Sequence, residues 1–386
     1  MIKTQNALRT HIGIFGKTNA GKSTLLNLLS GQKSSIVSDI KGTTTDTVNK
    51  PMEINGLGPV LFLDTPGYDD ESILGKERIE ATAKALDKTD LAIFLFSGDL
   101  KSDQDFILQL AKNNIPTVFA LMRTDLSYEE EYLKELENYH PLFLQKDSEK
   151  SKFEIIDAIK TQIQKEERDI TGSLVKENSL TLLVMPQDIQ APTGRLIVPQ
   201  VQTIRELLDK KSVVVAVGLD KLEESLSRLK DAPDLVITDS QCFKEVYDIL
   251  PKEVRLTSFS VLFSKLKGDV EYFMESAKIL DSLSENSRIL IAEACTHAPL
   301  EEDIGRVKIP KLLRKKYGEN LSIDFTRGED FFEMENYDLI IHCGACMFNR
   351  KAVLTRVQKA KDMGIPMTNY GITIAHLKGI LDKVVY

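Results

Sequence analysis

Short, continuous apolar runs alternate with amphipathic stretches along most of this chain. Residues 11–16, 60–63, 91–96 and 117–121 read as strands in the N-terminal part. Residues 180–185, 213–217 and 235–238 do so in the middle, and residues 288–292, 321–325, 339–341 and 366–369 toward the end. Such runs suit parallel sheets covered on both faces. Between them, Leu25, Leu26, Leu28 and Leu29 mark one helix face, and helical patterns recur over residues 150–165, 203–208, 272–280, 308–317 and 351–361. The strand–helix rhythm predicts parallel sheets wrapped by helices, with right-handed crossovers that gather the post-strand loops on one edge. Residues 166–178 are charged, contain Thr171-Gly172-Ser173 and read as a linker. Three α/β domains are expected, over 1–168, 175–266 and 267–386.

Composition narrows the class. The chain has 386 residues, more than one typical domain holds, and 42% apolar residues, enough for real cores. A formal charge of −8 gives no general attraction to nucleic acid or anionic membrane. No apolar run reaches a membrane span and the N-terminus shows no signal-peptide core, so a cytoplasmic protein without a membrane partner is expected. The 4 cysteines argue against a secreted disulfide scaffold.

The first candidate chemistry follows the first strand. Gly16-Lys17-Thr18-Asn19-Ala20-Gly21-Lys22-Ser23-Thr24 carries the full phosphate-loop pattern between a strand and a helix. The glycines let the backbone wrap a phosphate chain, and the helix N-terminus adds positive potential. Lys22 is expected on the β- and γ-phosphates and Ser23 on Mg²⁺. Gly42-Thr43-Thr44-Thr45-Asp46 forms a polar loop, and Asp64-Thr65-Pro66-Gly67 closes a strand. Asp64 can hold the magnesium water shell, and the Gly67 amide can sense a γ-phosphate. Together with Met122-Arg123-Thr124-Asp125, this set resembles the translation-factor-type small GTPases. The resemblance implies that Asp125 pairs with guanine, while Met122 and Arg123 depart from the usual Asn/Thr-Lys. Tyr68 follows Gly67 where such enzymes can carry glutamine, which implies slow hydrolysis unless another element completes the site. Asn19 and the Gly-Thr-Thr-x-Asp loop resemble the subgroup with potassium beside the phosphates. By that likeness Asn19 donates to K⁺ and Thr44 meets Mg²⁺. Asp147-Ser148 is the nearest candidate for the remaining base-binding loop.

The second candidate chemistry lies near the C-terminus. Cys295-Thr296-His297 follows one apolar run, and His342-Cys343-Gly344-Ala345-Cys346 follows another. These clusters hold three of the 4 cysteines and two of the 5 histidines. Sites in open α/β sheets gather beyond strand C-termini, so adjacent strands would bring the clusters together. Three thiolates with an imidazole suit structural zinc, and three thiolates with an open corner equally suit a [4Fe–4S] cluster. A Cys343–Cys346 redox disulfide leaves Cys295 unexplained. Cys242 reads as packing.

An N-terminal GTPase joined to Cys-x-His and His-Cys-x-x-Cys resembles the [FeFe]-hydrogenase maturation GTPases, over essentially the whole chain. The fold this implies is α/β: a P-loop GTPase domain followed by two smaller α/β domains with mainly parallel sheets, one for dimerisation and one for the cluster. The resemblance implies that Cys295, Cys343 and Cys346 hold a [4Fe–4S] cluster. His297 and His342 become candidates for a fourth ligand or for groups that orient the ligands, and Glu293, Glu301 and Glu302 could offer an oxygen. It further implies GTP/GDP, Mg²⁺ and K⁺ as cofactors, and a homodimer. A transient di-iron precursor would be built by two radical-SAM maturation enzymes and delivered to apo-[FeFe]-hydrogenase. The competing readings are a regulatory or ribosome-assembly GTPase with a zinc appendage and an iron–sulfur electron-transfer enzyme.

Overall fold

The computed structural model describes residues 6–31, 48–69, 75–123, 128–163, 169–186, 196–294, 303–328 and 336–386. Thr44 and its loop, Thr124, Asp125, Cys295, His297, Glu301 and Glu302 lie outside the described residues. The chain divides into two compact units, Met1–Glu166 and Glu167–Tyr386.

In the first unit, β1 (Thr10–Gly16), α1 (Lys22–Ser30), β2 (Val48–Ile54), β3 (Gly58–Asp64), α2 (Gly75–Asp87) and β4 (Leu91–Leu95) are followed by α3 (Leu100–Lys112), β5 (Thr117–Arg123), α4 (Glu130–Leu136), β6 (Leu142–Gln145) and α5 (Glu149–Gln162). The sheet order is β2-β3-β1-β4-β5-β6. Every pairing is parallel except β2 with β3. Alternation along β1 feeds two cores. Ile12 and Ile14 pack with Leu25, Leu26, Ile155 and Ile159, whereas Phe15 packs with Phe94, Phe106 and Leu110. The β2 strand was absent from the sequence expectation because Lys50 and Pro51 interrupt it. Pro51 is tolerated since β2 is an edge strand.

In the second unit, β7 (Leu180–Val184), α6 (Val198–Asp209), β8 (Val213–Val217), α7 (Leu222–Arg228), β9 (Leu235–Thr238), α8 (Phe243–Ile249), β10 (Arg255–Ser258) and α9 (Phe259–Lys267) build a parallel sheet of order β10-β9-β7-β8. α10 (Val270–Ser276), β11 (Arg288–Glu293), α11 (Ile309–Tyr317), β12 (Ser322–Arg327), β13 (Leu339–His342), α12 (Arg350–Asp362), β14 (Met367–Asn369) and α13 (Tyr370–Leu377) build another, of order β12-β11-β13-β14. One apolar cluster runs through both: Leu182, Val236 and Leu256 of the first sheet join Ile289, Ile291, Ile341 and Ile372 of the second. Both sheets lie within one compact unit.

The stretch read as a linker is a correction from residue 170 onward. Ile170, Thr171 and Val175 are buried. The Glu206 carboxylate on α6 accepts from the Ile170 and Thr171 amides at 2.5 and 2.8 Å and from Thr171 Oγ1 at 2.7 Å. A charge-rich segment thus docks because one glutamate satisfies its turn of backbone donors.

Candidate functional site

The first site is the loop between β1 and α1. Gly16 and Gly21 have φ of 150° and 96°, and Asn19 adopts φ 65°. These left-handed residues curl the backbone into an anion-binding concavity at the start of α1. Lys22 is 8% exposed, and its ammonium donates to the Gly16 and Lys17 carbonyls at 2.8 and 2.6 Å. Burial pushes its pKa down to about 8, with Asp64 and Asp69 pulling it back. Ser23 Oγ donates to Asp64 Oδ2 at 3.1 Å. The parallel pairing of Ile14 with Asp64 brings the end of β3 beside the loop. Burial raises the Asp64 pKa against the hydrogen bond from Ser23 and the charge of Lys22. A hydroxyl beside a poorly hydrated carboxylate and a phosphate cradle is a fitting pair for a magnesium ion.

Gly67 closes on the same loop. A Cβ there would lie 2.4 Å from Thr18 Oγ1 and 2.6 Å from the Thr18 nitrogen, so only glycine permits this approach. The Thr18 amide and hydroxyl donate to Asp69 Oδ1 at 2.7 and 3.0 Å. Tyr68 is held against α3: its ring stacks on Phe106 at 4.6 Å, and its hydroxyl donates to Asp103 Oδ1 at 2.5 Å. Asp103 is fully buried, and Lys17 lies 3.8 Å from it. The side chain that follows Gly67 is thus engaged by α3. The roles of Asp69 and Asp103 escaped the sequence reading, because neither belongs to a spaced motif.

At the end of β5, Met122 is 2% exposed and fits against Gly21, where a Cβ would come within 2.9 Å of Met122 Cγ. Met122 braces the phosphate loop by van der Waals contact. Ser148 caps α5, accepting from the Ser151 amide at 3.2 Å.

The second site lies at the C-terminal edge of the last sheet. β11 and β13 pair in parallel, with Ala292 opposite His342, and the Cys343 amide extends the ladder to Ala292 O at 2.9 Å. Cys343 Sγ accepts from the Ala294 amide at 3.1 Å and from the Ala345 amide at 3.4 Å. Ala345 has φ 50°, a left-handed conformation that costs about 1–2 kcal/mol and needs holding. The Lys267 ammonium supplies that hold, donating to the carbonyls of Ala345, Cys346 and Phe348 at 3.1, 3.4 and 2.8 Å. Burial pushes Lys267 down to about 8, with the Cys346 and Cys343 thiols pulling it back. Burial also pushes the Cys343 thiol up to about 11, against the two amide hydrogen bonds. Neither Cys343 nor Cys346 is in a disulfide. Among the described residues no three His, Cys, Asp or Glu side chains gather as a metal-binding group, and two of the three expected thiols are described.

His342 is buried. Its Nδ1 lies 2.7 Å from Cys343 O and its Nε2 3.0 Å from Arg356 Nη1. Arg356 can only donate, so Nε2 accepts and Nδ1–H donates to the carbonyl. Burial, then Arg356, pushes the imidazole pKa down to about 3. His342 is arranged to orient the cysteine turn, and coordinating a metal would require breaking the Arg356 bond. Glu293 is engaged by Arg306 at 2.8 Å and by Arg327 at 3.3 Å. Cys242 packs against the shared core.

Residues 271–386 match the family model described as the hydrogen maturase F tetramerization domain, and residues 170–268 match that of the hydrogen maturase F dimerization domain. Together these models span more than half of the chain. The chain belongs to the hydrogen maturase F family. The N-terminal part of this hydrogen maturase F chain, residues 11–123, matches the model described as 50S ribosome-binding GTPase. Over 135 residues it is 38% identical to the tRNA modification GTPase MnmE of Chromobacterium violaceum, covering 34% of this chain and 30% of that protein. The MnmE of Coxiella burnetii is 39% identical over 120 residues, 29% of this chain and 26% of the relative. The match thus spans less than a third of these curated relatives. A crystal structure of Aquifex aeolicus Era bound to GDP and aluminium fluoride covers 56% of this chain and 97% of its own, at 16% identity and a TM-score of 0.35. That likeness is too slight to bear on function. Among the described residues no helix is long and apolar enough to cross a membrane.

Proposed function

We propose that this chain is a GTP-binding and GTP-hydrolysing scaffold that holds a [4Fe–4S] cluster through Cys295, Cys343 and Cys346. It would receive a di-iron precursor as cargo from radical-SAM maturation enzymes and deliver it to apo-[FeFe]-hydrogenase. The carrying observation is the Ala294 amide donating to Cys343 Sγ across the β11–β13 pair, because Ala294 immediately precedes Cys295. The donor set fits the group: amide hydrogens on sulfur and a buried ammonium both stabilise thiolates in a desolvated turn. When bound, the cluster supplies an iron not held by cysteine, to which a cargo ligand can attach. The chain's own residues do the rest. Lys267 and the Ala294 and Ala345 amides hold the turn, and His342 with Arg356 orients it.

In the N-terminal unit, the phosphate-loop amides and Lys22 hold the phosphates of GTP. Ser23 and Asp64, with Thr44, hold Mg²⁺, and Asp125 reads the guanine. Asn19 offers an oxygen to K⁺, which would stimulate a site that has tyrosine after Gly67. Nucleotide then acts as a switch on partner exchange rather than on cluster assembly. Self-association is supported by β8, an apolar edge strand on which Val213 is 55% exposed.

Anaerobic reconstitution followed by EPR and Mössbauer spectroscopy of the wild type and Cys346→Ser tests the reading. A [4Fe–4S] signature that is lost or altered in the variant is expected. A colourless wild type carrying one stoichiometric zinc, with no uptake of iron and sulfide, would return the chain to a GTPase with a zinc appendage.

A further inference from the structure

A buried lysine without a carboxylate among its donor contacts is an unusual thing for a protein to build. Lys267 is 5% exposed, and among the described residues its hydrogen-bond partners are three carbonyl oxygens of the cysteine turn. It stands in the last turn of α9, on the segment of the preceding sheet, and reaches across 78 residues of sequence to Ala345. The neighbouring backbone is pinned to the same region, with Arg350 Nη1 donating to Leu266 O and Gly268 O at 3.2 Å each. A neutral donor would satisfy carbonyls as well. What an ammonium adds is charge, in a place where water cannot screen it. The turn it holds carries the sulfurs of Cys343 and Cys346, which call for a cation once they bind metal as thiolates.

We propose that Lys267 is a charge-bearing positioning residue of the cysteine site: it fixes the Ala345 to Phe348 turn and sets the potential and lability of what the thiolates hold. This rests on the cluster reading above. A fixed positive charge favours the reduced, more negative state of a bound cluster, so it raises the midpoint potential. It also offsets the mutual repulsion of the thiolates and so slows loss of iron. The family-model boundary falls beside this residue, since one match ends at 268 and the next begins at 271. The cysteine site accordingly draws an essential part from outside its own module.

The test uses the full-length wild type, Lys267→Met and Lys267→Arg, each reconstituted anaerobically with ferrous iron and sulfide. Iron and sulfide content, the midpoint potential from an EPR-monitored titration, and the rate of iron loss to a ferrous chelator are compared. The Met variant should show a more negative potential and lose iron about tenfold faster, the low end for removing a group that supports metal ligands. The Arg variant should stay near the wild type. A Met variant equal to the wild type in both potential and rate overturns the proposal and leaves the cluster reading standing. A wild type that takes up no iron and sulfide overturns both. Where circular dichroism shows the Met variant unfolded, Lys267→Gln against Lys267→Arg decides, because glutamine still donates to carbonyls but carries no charge. A more negative potential in the Gln variant supports the proposal, and equal potentials overturn it.

Discussion

Replacing Asp69 with alanine should tighten nucleotide binding. The Asp69 carboxylate accepts from both the amide and the hydroxyl of Thr18, at 2.7 and 3.0 Å. It thereby places a negative charge at the loop that has to receive phosphates. Hydrogen bonds to a charged group contribute about 1.5–3 kcal/mol when shielded. Both bonds are exposed, and exposed ionic contacts fall to about 1 kcal/mol or less. Taking about 1 kcal/mol as the work of displacing Asp69, its removal should lower the GDP dissociation constant roughly fivefold. Residual repulsion between carboxylate and phosphate adds to this at low ionic strength and fades as salt is raised. Titration of wild type, Asp69→Asn and Asp69→Ala with a fluorescent GDP analogue and Mg²⁺, at two salt concentrations, reads the effect. The Asn variant should fall between the other two, since its amide oxygen still accepts from Thr18 without the charge. Unchanged or weaker binding by the Ala variant at both salt concentrations would refute the idea that Asp69 competes for the phosphate loop.

Three further outcomes follow from the same geometry. Asp64→Asn should stabilise the nucleotide-free protein at neutral pH while abolishing magnesium-dependent nucleotide binding. Burial raises the folded-state pKa of Asp64, so the wild type gains stability as pH falls through that raised value toward the unfolded value near 4, and thermal melts of the variant should show a shallower pH dependence over that window. Lys22→Ala should retain iron in full-length protein but lose its nucleotide response, and loss of iron in that variant, measured by metal analysis, would defeat the separation of the two roles. Val213→Lys places a charge on the apolar β8 edge and should shift the protein to a smaller species in size-exclusion chromatography with light scattering; an unchanged mass would remove β8 from the self-association surface.

Much of the fold was legible because parallel strands covered on both faces need a run of apolar residues, and β1, β4, β9, β11 and β13 each carry one. Three strands escaped: β6, a four-residue edge strand too short to stand out, and two whose residues break that rule. β2 carries Lys50 and Pro51 at an edge, and β10 reads Arg255-Leu256-Thr257-Ser258, whose threonine and serine are buried all the same. The phosphate loop and the Cys-x-x-Cys turn were readable from spacing, since their chemistry is local. The supports were not. Lys267 looks like an ordinary basic residue in the last turn of an amphipathic helix, and nothing in its own segment points to a turn 78 residues away. Met122 was visible as a departure from a motif, but its packing on Gly21 depends on where β5 ends relative to β1. Glu206, which docks the supposed linker, likewise acts over 35 and 36 residues.

The apolar cluster that joins Leu182 and Val236 to Ile289 and Ile341 bears on how the chain can be cut. A fragment beginning at residue 271 would strip solvent protection from one wall of its interior and leave α10, α12 and α13, which pack on α9, with greasy faces open to water. Such a truncation should aggregate or misfold, whatever its cysteines can bind. Transplanting the cysteine edge onto another host would therefore mean carrying the preceding sheet along as ballast, so the smallest portable piece of this protein runs from about residue 169 to its C-terminus.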